Sequence, residues 1–264
     1  MTDPQTVRVG VQVWPQQSTF AQQRDTFLRC EDLGVDDVFT WDHFFPLSGE
    51  PDGAHFEGWM LLGAMAEVTE RVRLGTLVSS VGYRNPDLLA DMARTLDHAS
   101  GGRAMLGIGA GWNRRDYDEY GYDHGDVSAR ATLFSRAVPR IVARLGKLHP
   151  PPVSQPLPML IGGGGERTTL RMVAEHAHIW NAFFDDPDAF VHKNQVLERW
   201  CADVGRDAGE IVRSMTMNDV RRLDELDAFH AVGVRHFVVG MQPTDFDEAA
   251  VRRLVEWRDH ALGR

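Results

Sequence analysis

Cysteine is scarce: Cys30 and Cys201 are the only two among 264 residues. Both fall inside helix-like patterns, and two thiols so far apart exclude a disulfide framework and a structural zinc site, leaving core packing as their role. Long apolar runs are missing too. The longest reach only strand length, short of a membrane span, and residues 1–6 carry no basic region followed by an apolar stretch. The expectation is a soluble, cytoplasmic protein with no signal peptide and no membrane contact. Positive charge is also in deficit, with 28 Lys and Arg against 38 Asp and Glu and a net charge of −10. That balance opposes nucleic-acid binding and docking on anionic lipid. No linker, low-complexity tract or break in composition divides the chain, so a single domain over residues 1–264 is expected. Small-molecule chemistry is what these exclusions leave.

What the chain does have is 43% apolar residues in an alternating pattern. Short β-branched runs at 7–14, 35–40, 72–80, 104–109, 158–162, 178–183, 211–217 and 234–240 read as strands. Amphipathic stretches such as 20–33, 86–100, 127–145, 167–177, 187–204, 223–232 and 246–262 read as helices between them. Strand followed by helix, eight times over, predicts an α/β fold, a (β/α)8 TIM barrel; a doubly wound open sheet shares the alternation, but eight units in this length favour the barrel. Gly34 and Gly233 each stand between a helix and the next strand, as left-handed caps do at the bottom of a barrel. The segments that follow strands, 41–57, 79–86 and 109–127, are longer and rich in Trp, His, Gly and Pro. They belong on the face where barrels carry their active sites.

Four constellations could carry chemistry. Asp42 and His43 sit at the carboxyl end of the second strand beside Trp41, Phe44 and Phe45; adjacent residues point apart if the strand continues, but an imidazole there can move a proton near neutral pH. Ser79 and Ser80 lead through a polar loop to a helix opening at Pro86, a turn suited to a phosphate or a ring carbonyl. Gly109, Ala110, Gly111, Trp112 and Asn113 form a small-residue exit from the fourth strand, where backbone can approach a flat ligand and an indole can wall it. Gly162, Gly163, Gly164, Gly165, Glu166 and Arg167 join a strand to a helix start, a cradle for an anion that lacks the lysine of a P-loop. His176 and His178 have no third ligand at a metal spacing and read as structural, so no metal is expected. No serine nucleophile elbow or Cys/His dyad is visible. An isomerase or aldolase barrel would call for a Lys or a carboxylate inside the barrel, and none is evident in the strand segments.

In combination, the Trp41–Pro46 turn, the stretch from Leu74 to Val78 and on to Pro86, and the run Thr95–Arg103 leading to Gly107–Trp112 resemble the luciferase-like monooxygenase superfamily, and within it the coenzyme F420-dependent oxidoreductases. The resemblance implies a luciferase-like barrel with a deazaflavin across the strand ends, backed by a bulge whose non-prolyl cis peptide would be Leu77–Val78. It implies that Asp42 and His43 are a ring-contacting pair, with His43 the acid or base. It further implies that Leu77, Val78, Ser79, Ser80, Gly109 to Asn113 and Gly162 to Arg167 hold the ring edge, ribityl chain and phosphate. FMN with oxygen is the alternative cofactor chemistry, a non-catalytic carrier of F420 or flavin is a third reading, and a homodimer is the frequent assembly. The family's sugar-phosphate dehydrogenases carry a Glu where this chain has Trp112 and a Trp near Leu47, so glucose 6-phosphate is not the expected substrate. Residues 147–155 are shorter than the insertion many relatives place before the glycine run, so part of the usual substrate cover is either missing or supplied from elsewhere in the chain. Trp14, Phe44, Phe45, Phe56 and Trp112 would either make the pocket hydrophobic or belong to the barrel core.

Overall fold

A computed structural model describes residues 4–264. Its strands are β1 (Arg8–Val13), β2 (Asp37–Thr40), β3 (Arg73–Thr76), β4 (Ser79–Ser80), β5 (Ala104–Gly109), β6 (Met159–Gly162), β7 (Ile179–Ala182), β8 (Val212–Met217) and β9 (His236–Met241). Its helices are α1 (Phe20–Asp32), α2 (Gly58–Val68), α3 (Pro86–Ala99), α4 (Arg114–Tyr120), α5 (Val127–Leu145), α6 (Thr169–His176), α7 (Pro187–Val204), α8 (Leu226–Ala231) and α9 (Glu248–Ala261). All neighbouring strands run parallel, and the pairing of β3 with β5 closes the sheet into a ring. This is the expected (β/α)8 barrel. The left-handed caps at Gly34 (φ 87°) and Gly233 (φ 114°) also stand where expected.

The third strand departs from a continuous run at 72–80. Leu74 faces Ala104, yet Ser79 faces Ile108 instead of the residue after it, so β3 and β4 are two pieces of one strand with an extra residue between them. The peptide Leu77–Val78 in that bulge is cis. Two helices lie where the sequence shows no amphipathic stripe. In α2 apolar residues run nearly all round, and seven-residue α4 sits within a segment expected to be loop.

Side-chain alternation along the strands creates two cores. Between the barrel and its helices lies a large aliphatic and aromatic layer that includes both cysteines. Inside the barrel, Phe39, Leu77, Met105, Leu160, Ile179 and Val238 form a second, smaller cluster. Below it, at the amino ends of the strands, the fully buried carboxylate of Asp37 meets Arg8 (3.0 Å), Arg73 (2.9 Å) and His236 (3.2 Å). A carboxylate therefore does stand inside the barrel, contrary to the sequence reading. It lies at the end opposite the long loops, where three partners neutralise it.

Candidate active site

The carboxyl ends of the strands open into a cavity of about 710 Å³. Its lining draws on nearly every strand: Gln12 in β1, Trp41 and His43 after β2, Leu77 and Val78 in the bulge, Gly109 to Trp112 from the last residue of β5 onward, Gly162 to Gly165 from the last residue of β6 onward, and Asn181 and Thr216 from β7 and β8. Among these lining residues there is no Asp, Glu, Lys or Arg.

Beyond Thr40 the chain continues to alternate, so Trp41 and His43 face the cavity while Asp42 between them turns into the protein. His43 is held by Asp116, Nδ1 to Oδ2 at 2.6 Å. Asp116 is fully buried and also accepts hydrogen bonds from the Phe44 amide (3.0 Å), the Tyr83 hydroxyl (2.8 Å) and the Asn113 amide (3.0 Å). Burial works to raise its pKa, but the bonds from His43, Phe44 and Tyr83 outweigh that and hold the carboxyl below its ordinary value. A carboxylate so fixed orients the imidazole and leaves Nε2 as the nitrogen that can exchange a proton with a ligand. The ring is flanked edge-on by Trp41 and Trp112, with centroids 5.9 and 5.5 Å away. Trp41 donates its indole N–H to His55 Nε2 (3.1 Å). Burial, then the neighbouring His43, lower the His55 pKa to about 4, so His55 is neutral near pH 7.

Asp42 pairs through both oxygens with Arg84, which also contacts Glu57. Burial pushes the Asp42 carboxyl above its ordinary value while the guanidinium beside it opposes the rise. Asp42 and His43 thus part, each with its own partner.

The floor is built by close approach. A Cβ at Gly107 would come within 1.8 Å of the Thr76 carbonyl, and one at Gly109 or Gly162 within 2.8 or 2.9 Å of the Val78 side chain. The small residues are what admit the bulge. Gln12 donates to the Leu77 carbonyl and ties the bulge to β1. From the floor a polar column descends through the barrel: Thr216 donates to Asn181 Oδ1 (3.1 Å), Asn181 to Ser214 Oγ (2.8 Å), and Ser214 meets His236 Nδ1 (2.9 Å), above Asp37. The order of donors is set by the amide, whose N–H must give and whose oxygen must accept.

At the far rim Gly163 to Gly165 precede α6. The Gly163 N–H is spent on the Asn181 carbonyl (2.8 Å), whereas those of Gly164 and Gly165 have no partner among the described residues. Glu166 faces away, binding Lys193 (2.6 Å) and His192 (3.0 Å), and Arg167 is exposed.

Of the residues singled out in the sequence, His43, Leu77, Val78, Ser80, Gly109 to Trp112 and Gly162 to Gly165 come together round the cavity. Asp42, Ser79, Asn113, Glu166 and Arg167 stand behind or beside it. Ser79 is buried and accepts from the Trp59 indole (2.9 Å), and Asn113 braces Asp116. Sequence reasoning missed Asp116, Gln12, Asn181 and Thr216. The last three occupy inward positions of recognised strands and could have been found by counting alternation; Asp116 carries no signal beyond an acid in a helix's first turn. His178, outside the site, accepts the Met159 amide at Nδ1 (3.0 Å), a structural contact.

The luciferase-like monooxygenase family profile matches residues 6–256. Over 87 residues, 32% of this chain and 25% of the relative, the sequence is 40% identical to an F420-dependent glucose-6-phosphate dehydrogenase of Amycolatopsis mediterranei. Among solved structures, an F420-dependent secondary alcohol dehydrogenase bound to an F420-acetone adduct superposes with a TM-score of 0.82 at 16% identity, covering 95% of this chain and 98% of that one. The oxygenating constituent of 3,6-diketocamphane monooxygenase from Pseudomonas putida, in complex with FMN, does so with a TM-score of 0.72 at 11% identity, covering 94% and 97%. At those identities the likeness is one of fold.

Proposed function

The chain belongs to the luciferase-like monooxygenase family, and on that premise we propose that it is an F420-dependent oxidoreductase exchanging a hydride between the deazaflavin and an organic substrate. The observation that carries the reading is His43, fixed by Asp116 at one nitrogen and presented at the other to a cavity floored by the Leu77–Val78 bulge.

The residues fit such a cofactor. The bulge, with Val78 projecting between Gly109 and Gly162, offers a backstop for a flat ring. Asn181 and Thr216, locked by the column beneath them, offer polar atoms to its edge. The free N–H groups of Gly164 and Gly165 in the turn that leads to α6, with exposed Arg167 two residues on, suit a phosphate. When bound, the deazaflavin supplies a two-electron hydride acceptor or donor. The protein's own part is to hold the ring, shield His43 with buried Trp41, and move one proton at Nε2 of His43. Asp116 stabilises the imidazolium when that proton arrives.

His43→Ala tests this directly. Turnover is expected to fall by about 100-fold or more, the scale of general acid–base catalysis, while the dissociation constant for F420 stays near its wild-type value. Unchanged turnover would remove His43 from the chemistry. A protein that binds F420 yet turns over no compound in either form would be a carrier.

A further inference from the structure

Resting on the deazaflavin reading of the cavity, we propose that Tyr117 is a positioning residue: it donates its own hydrogen bond to Ser80 and so fixes Ser80 as a donor to the cavity, at a point where the bound ring must bring an acceptor, a carbonyl oxygen or an unprotonated ring nitrogen. The two hydroxyl oxygens lie 2.6 Å apart, with Ser80 in the lining and Tyr117 behind it on α4. The distance is the same whichever of them donates. Their surroundings decide.

Tyr117 is 1% exposed, and its hydroxyl has no partner but Ser80 among the described residues. Burial raises its pKa above the ordinary phenol value, against the Ser80 bond and the Arg130 charge that lower it, so the oxygen keeps its proton near neutral pH. Were Ser80 the donor, that buried proton would have no acceptor, and a buried donor left unsatisfied is costly. Tyr117 therefore donates. Ser80 Oγ also accepts the Gly82 amide (3.1 Å), so both its lone pairs are occupied. What remains is the Ser80 hydroxyl proton, on a side chain that is 4% exposed, lines the cavity and offers that proton no acceptor among the described residues.

The local backbone is shaped round this pair. A Cβ at Gly111, where φ is 80°, would come within 2.0 Å of the Tyr117 hydroxyl and 2.4 Å of Ser80 Oγ, and one at Gly82 within 2.7 Å of the same hydroxyl. Glycine at both positions is what lets the phenol reach Ser80. The Tyr117 ring is held by Tyr83 and, edge-on, by His124, each with centroids 5.0 Å away. Asp116, the residue before it, leaves the same helix to hold His43. Helix α4 thus sets the state of two cavity groups at once, a nitrogen that exchanges a proton and a hydroxyl that only donates a hydrogen bond.

The test is a double-mutant cycle on the full protein, with wild type, Ser80→Ala, Tyr117→Phe and the double variant each checked by thermal melt and titrated with oxidised F420. Ser80→Ala is expected to raise the dissociation constant about tenfold, the scale of a lost buried hydrogen bond. Tyr117→Phe frees the Ser80 proton to turn away, and is expected to raise the constant about threefold in the wild-type background but less than about twofold once Ser80 is Ala, because Tyr117 acts only through Ser80. The visible absorption band of bound F420 should shift in the same direction in both single variants, with no further shift in the double, a signature that lost packing alone would not give. Additive effects, or a dissociation constant unchanged in Ser80→Ala, overturn the proposal. If wild type does not bind F420, the cofactor reading fails and this proposal falls with it; wild-type binding with additive effects removes the role of Tyr117 and leaves the cofactor reading standing.

Discussion

Asp116 is a carboxylate whose four hydrogen bonds leave it nothing to offer a ligand, so its effect reaches the cavity only through His43. Asp116→Asn keeps the shape and removes the charge. Turnover is expected to fall by about 100-fold or more, with F420 affinity retained, and Asp116→Glu to recover part of the rate; an unaltered rate in Asp116→Asn would refute the positioning role. Because its carboxyl sits below the ordinary value, the stability Asp116 contributes is complete above the unfolded pKa of about 3.9 and is lost as pH falls through the lower folded one. Urea unfolding should therefore show the gap between wild type and Asp116→Asn narrowing below about pH 4. At this scale His43 was legible, because an imidazole at a strand's carboxyl end is conspicuous. Its pairing was not: the sequence places Asp42 beside it, and strand alternation turns Asp42 toward Arg84 while the true partner arrives from a helix 73 positions away.

The strands show what glycine is for in this barrel. Gly107→Ala would drive a Cβ to 1.8 Å from a backbone carbonyl that cannot move, and is expected to lower the thermal midpoint sharply or prevent folding. Gly162→Ala meets a side chain instead, Val78 at 2.9 Å, so the bulge should shift and F420 affinity should fall by more than stability does. A titration paired with a melt checks both, and an intact affinity in Gly162→Ala would contradict the role given to the bulge. Ser214→Ala removes the middle of the polar column and strands an amide N–H and an imidazole nitrogen, at an expected cost of about 1–3 kcal/mol in chemical unfolding. Strand positions were readable from β-branched runs, and the bulge only through the resemblance, since residues 72–80 are uniformly strand-like. Helix α2 was missed because burial on nearly every side erases the helical period that amphipathic helices display.

Across the whole molecule the two ends of the barrel divide the work. The amino end is plugged by Asp37 with Arg8, Arg73 and His236, and the carboxyl end holds a cavity whose lining includes no Asp, Glu, Lys or Arg. Burial raises the Asp37 pKa, but the two guanidiniums and His236 hold it well below the ordinary carboxylate value. Asp37→Asn removes the fully buried anion that the half-buried guanidiniums of Arg8 and Arg73 share and is expected to cost about 3–5 kcal/mol, while F420 binding by the folded fraction is unchanged. The eightfold alternation of strand and helix was enough to read the architecture. The polarity of the lumen was not readable from the same pattern, because nothing in the run 35–40 tells that Asp37 turns inward to meet Arg8, Arg73 and His236 from three other strands.

The account's central claim is that this cavity is a deazaflavin site, and the most direct measurement is titration of the purified protein with oxidised F420 and, separately, with FMN, following tryptophan emission. Trp41 and Trp112 flank His43 in the cavity wall, so a ring bound there should quench them. Saturable quenching by F420, with FMN binding at least tenfold more weakly, is the predicted result. Preference for FMN would contradict the cofactor and point to oxygen-dependent chemistry, and saturation by neither would contradict the site.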